Sequence, residues 1–422
     1  MKLNVLIIFI FGLIFSYLVI VIPASSTEFR VNTYTTLDQT NPAVAYDGSN
    51  YFATWQSYQD GSSYGIYGQL VTTSGTLTGS EFRVNTYTTN LQAYPSVAYG
   101  GENYLVTWYS LQDGGTGGYG VYGQMVDKSG VLSGSEFRVN TYTTNSQANS
   151  AVASSGSNFL VTWTSYGQDG SGDGIYGQLV NSSGALSGPE FRVNTTIPGA
   201  QSNSAVAYGA GKYLVTWQSQ DGNLDGIYGQ FIDSSTGALS GSEFRVNTYT
   251  PAAQTIPAVA SNGSNFLVTW TSNLQDGSDT GVFGQILDPS GALIGSGFQI
   301  NTFTANDQNN SALTSYGTNY VVVWQSEQDG SNYGIYGQTV TSTGSLVGPE
   351  TQINTYTSNA QMYPVAASDG TNVMVAWSSS LQDGYNTGVY ADSVHPVPEP
   401  SAMVLFGLLG VPFLLGKRKK IS

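Results

Sequence analysis

The sequence has no cysteine, a single histidine and few charges, and each shortage removes a class of chemistry. Without cysteine there are no disulfides, thiolate metal sites or cysteine nucleophiles. The one histidine, His395, lies beyond the internal repeats, so no histidine-dependent triad can form within them. Only 12 of 422 residues are Lys or Arg, and the net charge is −15. Five of those basic residues (Lys2, Lys417, Arg418, Lys419 and Lys420) stand in the terminal segments, so the body between them is more acidic still. Such a surface repels phosphate backbones, which excludes nucleic acid as a partner. What is abundant is Gly (52), Tyr (29), Thr and Ser, with 40% hydrophobic residues overall. That composition is too apolar for a disordered chain and suits tight turns and pleated strands.

Long hydrophobic runs occur only at the two ends. The N-terminal "MKLNVLIIFIFGLIFSYLVIVIPASS" puts one Lys before an apolar stretch and small residues after it. Residues 1–26 read as a secretory signal cleaved after Ala24 or Ser26, and the length of the run also suits an uncleaved anchor. At the C-terminus, a linker (395–401) precedes an apolar run, Ala402–Gly416, interrupted by Pro412. As a helix it would reach ~22 Å, a short transmembrane segment. The tail at 417–422, with Lys417, Arg418, Lys419 and Lys420, would stay cytoplasmic by the positive-inside rule.

Val397, Pro398, Glu399 and Pro400, then a short apolar helix and a basic tail, resemble the PEP-CTERM sorting signal of bacterial exported proteins. The resemblance covers the last 26 residues. It implies processing by a membrane-embedded exosortase, passage through the inner membrane by way of the C-terminal helix, and a final place at the cell surface or in the extracellular matrix. About catalysis it implies nothing.

Between the ends, residues 27–394 hold one unit copied seven times, anchored by Trp55, Trp108, Trp163, Trp217, Trp270, Trp324 and Trp377 at spacings of 53–55 residues. Each unit offers four strand-like runs, as in "PAVAYDG", "NYLVTWQS", "GIYGQLV" and "EFRVNT", separated by Gly/Ser/Asp turns. The second run is apolar at successive positions and predicts a strand buried on both faces. This is the pattern of an all-β, seven-bladed β-propeller of four-stranded blades, and the body resembles such repeat proteins. The last unit ends at "GVYADSV" without an outer strand, while a stray "EFRVNT" stands at 28–33. The N-terminal strand is therefore expected to complete the last blade and close the ring.

Length varies chiefly between the Trp and the aromatic of the third run, from eleven to fourteen residues, so variation concentrates in one hairpin per blade. Variable loops on a rigid scaffold are where binding resides. These hairpins carry "QDG", whose Asp either shapes the turn or binds Ca²⁺, the turn role being favoured because few copies have a second acid. The second acids occur in "QDGSGDG" (168–174), "QDGNLDG" (220–226) and "QDGSDTG" (275–281). The Glu and Arg of "EFRVN" are expected to form exposed ion pairs. Tyr58, Tyr64, Tyr109, Tyr119 and Tyr166 lie unevenly in the hairpins and are the candidate ligand contacts, since amphipathic rings suit sugar faces or a protein surface.

The acids recur with the repeat, whereas a glycosidase requires a singular pair, and the turns do not match the spacing of the sialidase Asp-box. The expectation is a non-enzymatic surface propeller that binds extracellular polysaccharide or a surface protein and carries no cofactor or catalytic residue. The alternatives are a propeller enzyme acting on glycans or cell-wall polymer, and a purely structural matrix component.

Overall fold

The computed structural model describes residues 28–112, 118–220, 222, 224–330 and 332–396. They form seven four-stranded antiparallel sheets. In blade 1 the strands run outward in chain order: Gln39–Tyr46, Asn50–Ser57, Gly65–Thr72 and Leu77–Arg83. Blades 2 to 6 repeat this plan. Blade 7 consists of Gln361–Ser368, Val373–Ser380 and Thr387–Val394, completed on its outer edge by Phe29–Arg30. The registers Phe29↔Ala391 and Arg30↔Tyr390 are antiparallel, so the N-terminal strand closes the ring as expected. The expected signal segment, the two hydrophobic helices, the Pro-Glu-Pro motif and the basic tail lie outside the described residues. Among those residues no helix is long and apolar enough to cross a membrane.

The second strand of each blade is buried on both faces because each face belongs to a different blade interface. Tyr51, Ala53 and Trp55 pack towards blade 7 with Met374, Ala376 and Val389. Their alternating neighbour Phe52 packs towards blade 2 with Tyr104, Val106 and Trp108. Seven such clusters serve seven interfaces, and every Trp is at most 2% exposed. Burial on this scale is the main source of stability in a chain without cross-links.

Polar staples fix the blade corners. Buried Asn85 accepts from Ile66 N–H (2.7 Å) and donates to Tyr87 C=O (2.6 Å) and to Gln92 Oε1 (3.3 Å). It thereby ties the third strand, the exit loop and the next blade's first strand together. An Asn with a Gln seven residues later recurs in every unit, from Asn32/Gln39 to Asn354/Gln361. Sequence reading did not single out this pair.

Candidate active site on the hairpin rim

The hairpin between the second and third strands emerges on the same rim as the blade-to-blade connections, for Tyr58 N–H bonds Asp38 C=O and Gln92 N–H bonds Tyr64 C=O. The "QDG" Asp builds the turn. Asp60 Oδ1 accepts from Ser62 and Ser63 N–H (3.2 and 3.4 Å), and Asp169 Oδ1 from Ser171 N–H (3.0 Å). The Gly after the Asp adopts a left-handed φ, +83° at Gly61, which a side chain would strain. No group of three or more potential metal ligands exists among the described residues.

The expected ion pair within "EFR" is replaced by a contact between blades. Glu81 Oε2 accepts from Thr33 N–H (2.6 Å), Thr33 Oγ1 (3.0 Å) and Tyr34 N–H (3.3 Å), while Oε1 accepts from Gln59 Nε2 (2.7 Å). The carboxylate clasps the exit loop of the preceding blade because that loop presents a cluster of otherwise unpaired donors. Arg83 Nε instead donates to Asn85 C=O (3.1 Å). The regular "NTYT" tyrosines flank these clasps.

Four of the five candidate tyrosines come together. Tyr58 meets Tyr64 edge-on at 5.2 Å, and Tyr109 meets Tyr119 at 4.6 Å. Tyr94, missed by sequence reading, stacks on Tyr109 at 5.4 Å and lies close enough to Tyr64 to influence its titration. Burial pushes the Tyr64 and Tyr109 hydroxyls up. The result is an aromatic ladder across blades 1 and 2 whose Tyr58 and Tyr94 rings are 39% and 48% exposed. Tyr94 was overlooked because it belongs to a first strand, Gln92–Gly100, where a bulge with φ +54° turns it outward. Tyr166 is not part of this ladder; it lies in blade 3, exposed and paired in register with Asp173.

The residue just before the first Gly of each third run breaks the seven-fold repetition. It is Tyr64, Tyr119 and Tyr333 in blades 1, 2 and 6, Thr280 and Thr387 in blades 5 and 7, and Asp173 and Asp225 in the adjacent blades 3 and 4. An acidic sector thus lies directly beside the aromatic one. Burial, and then the nearby Asp169 charge, push the Asp173 carboxyl above its ordinary value. A raised carboxyl pKa is the direction that a general acid requires.

No protein-family model matches the chain, and no curated protein matches it. Among solved structures it is similar to a protein of unknown function from Dyadobacter fermentans DSM 18053, at 10% identity and a TM-score of 0.53 over 88% of this chain and 98% of that one. It is also similar to the phage phi92 endosialidase (6% identity, TM-score 0.50, 92% and 72% covered). A GH93 α-L-arabinofuranosidase of Fusarium graminearum gives 12% identity and a TM-score of 0.49, with 87% and 98% covered. At these identities the likeness is one of fold. A structure with this fold is an endosialidase, and that finding overturns the expectation of a non-enzymatic propeller. The expectation rested on acids repeating from blade to blade, and the acid at the position of Asp173 and Asp225 is confined to two blades.

Proposed function

We propose that this protein is an exported β-propeller hydrolase acting on a glycan, with Asp173 as general acid and Asp225 on the adjacent blade as the second carboxylate. The observation that carries the reading is the acid position confined to blades 3 and 4, where burial and Asp169 shift the Asp173 carboxyl upward. Glycoside cleavage needs such a division of labour: one carboxyl protonates the leaving oxygen while the other activates water or attacks the anomeric carbon. Asp169 is a positioning residue that acts through Asp173. The ladder of Tyr58, Tyr64, Tyr94, Tyr109 and Tyr119 supplies ring faces on which a saccharide chain can lie, and Tyr166 a further one beside the acid. The similarity to an endosialidase supports the substrate class. The terminal signals supply the location: export, processing by an exosortase at Pro398-Glu399-Pro400, and release to the surface or matrix, where polysaccharide is abundant.

A pH–rate profile tests the assignment. Cleavage should decline as pH rises through the raised pKa of Asp173, because the acid must be protonated to act. Asp173→Asn should remove that limb together with most of the rate. A profile with the same alkaline limb in Asp173→Asn would refute the role.

A further inference from the structure

Six of the seven blade interfaces carry the glutamate clasp, and the repeat shows what its donors bind. Thr33, Thr86, Thr141, Thr195, Thr302 and Thr355 each give a backbone N–H to one carboxylate oxygen at 2.6–2.7 Å, and each also gives its hydroxyl. Open clefts adjoin the clasp, one of about 510 Å³ lined by Thr33, Tyr34, Gln59, Tyr67 and Glu81, and one of about 490 Å³ at the equivalent residues of blade 6.

The interface between blades 4 and 5 keeps the donors and lacks the acid. Its exit loop presents Thr248 and Tyr249, and the position of the glutamate is Gly297. A Cβ built on Gly297 would meet Thr248 Oγ1 at 3.8 Å, so this backbone faces the donors as its siblings do. The glutamine is also in place. In blade 3, Ser165 Oγ fixes Gln168 Oε1 (2.6 Å) and Gln168 Nε2 bonds Glu190 (2.5 Å). In blade 5, Ser272 Oγ fixes Gln275 Oε1 in the same way (2.7 Å), and this blade has no glutamate at the matching position to receive Nε2.

We infer that the Thr248–Tyr249–Gln275 notch is a binding site for a carboxylate on an external molecule. The choice of a carboxylated sugar as its class of ligand rests on the glycan reading above, while carboxylate recognition rests on the six occupied copies. Two N–H groups, one hydroxyl and one amide converge on a planar anion, a set that charge-assisted bonds make selective over a neutral hydroxyl. The notch opens at the outer edge of the hairpin rim, where a polymer engaged by the tyrosine and acid sectors can extend.

Calorimetric titration with glucuronate, against glucose as neutral control, tests the site without requiring turnover. Gly297→Glu supplies the blocking variant: Gly297 has no left-handed φ, and its Cβ would meet neighbours no closer than 3.6 Å. Wild type should bind glucuronate saturably and glucose not at all. Gly297→Glu should abolish binding and raise the melting temperature by completing the seventh clasp. Thr248→Val should weaken binding about tenfold, the equivalent of one charge-assisted bond. Absence of glucuronate binding, or binding unchanged in Gly297→Glu, would overturn the inference. Failure to cleave any glycan would refute the hydrolase reading and leave this isotherm standing.

Discussion

Closure of the ring by the N-terminal strand can be tested at Asn32. Its Oδ1 accepts from Val389 N–H (2.7 Å), and its Nδ2 donates to Tyr34 C=O (2.6 Å) and Gln39 Oε1 (3.2 Å). Asn32→Ala leaves the buried Val389 N–H without an acceptor and Gln39 Oε1 without a donor. Each unsatisfied group costs about 1–3 kcal/mol, so the expected loss is about 2–6 kcal/mol. Asn85 makes the equivalent bonds within a continuous blade, so Asn85→Ala should lose a similar amount. The two variants should differ in the fate of the weakened strand. In Asn32→Ala no hairpin joins it to the strand it pairs with, so it can leave and expose the edge of blade 7. Both should melt several degrees below wild type by tryptophan fluorescence, and only Asn32→Ala should be nicked by protease within residues 28–36. Equal protection of that segment in both variants would refute closure by this strand.

Tyr94→Ala combined with Tyr109→Ala should weaken retention of the protein in polysaccharide affinity gels. Tyr385→Ala, an exposed tyrosine outside the ladder, should not. Burial and Asp169 raise the Asp173 pKa above its unfolded value, so this group favours folding fully at acidic pH, below the unfolded pKa, and that contribution is lost as pH rises through the folded pKa. Asp173→Asn should flatten this part of the stability–pH curve and raise the neutral-pH melting temperature. Alanine in place of Pro398, Glu399 and Pro400 should leave the protein unprocessed in the inner membrane of its host, which fractionation and mass spectrometry of the C-terminus would show.

The blades and their closure were legible because both rest on period: Trp every 53–55 residues, apolar residues on both faces of one strand, and one strand out of place. The clasps were not, because each Glu meets backbone donors 47 or more residues away, and Glu28 meets Thr355 across 327. Without the blade geometry, Glu beside Arg in "EFR" reads as a local pair. The aromatic ladder was legible in part, since Tyr58, Tyr64, Tyr109 and Tyr119 stand in the variable hairpins. Tyr94 enters it only through a backbone bulge that sequence does not announce. The second acids of blades 3 and 4 were visible but were weighed as cation ligands. Their meaning depends on sharing one rim position with Tyr64 and Tyr119, which the strand register establishes.

The claim that this propeller cleaves a glycan is tested most directly by quantifying new reducing ends from bacterial surface polysaccharides, acidic and neutral, incubated with the purified ring. The account predicts time-dependent release by wild type and a loss of about 10²–10⁴-fold in Asp173→Asn, the usual contribution of a general acid. That variant should keep a melting temperature no lower than wild type. No release from any polysaccharide, or release by Asp173→Asn at the wild-type rate, would contradict it.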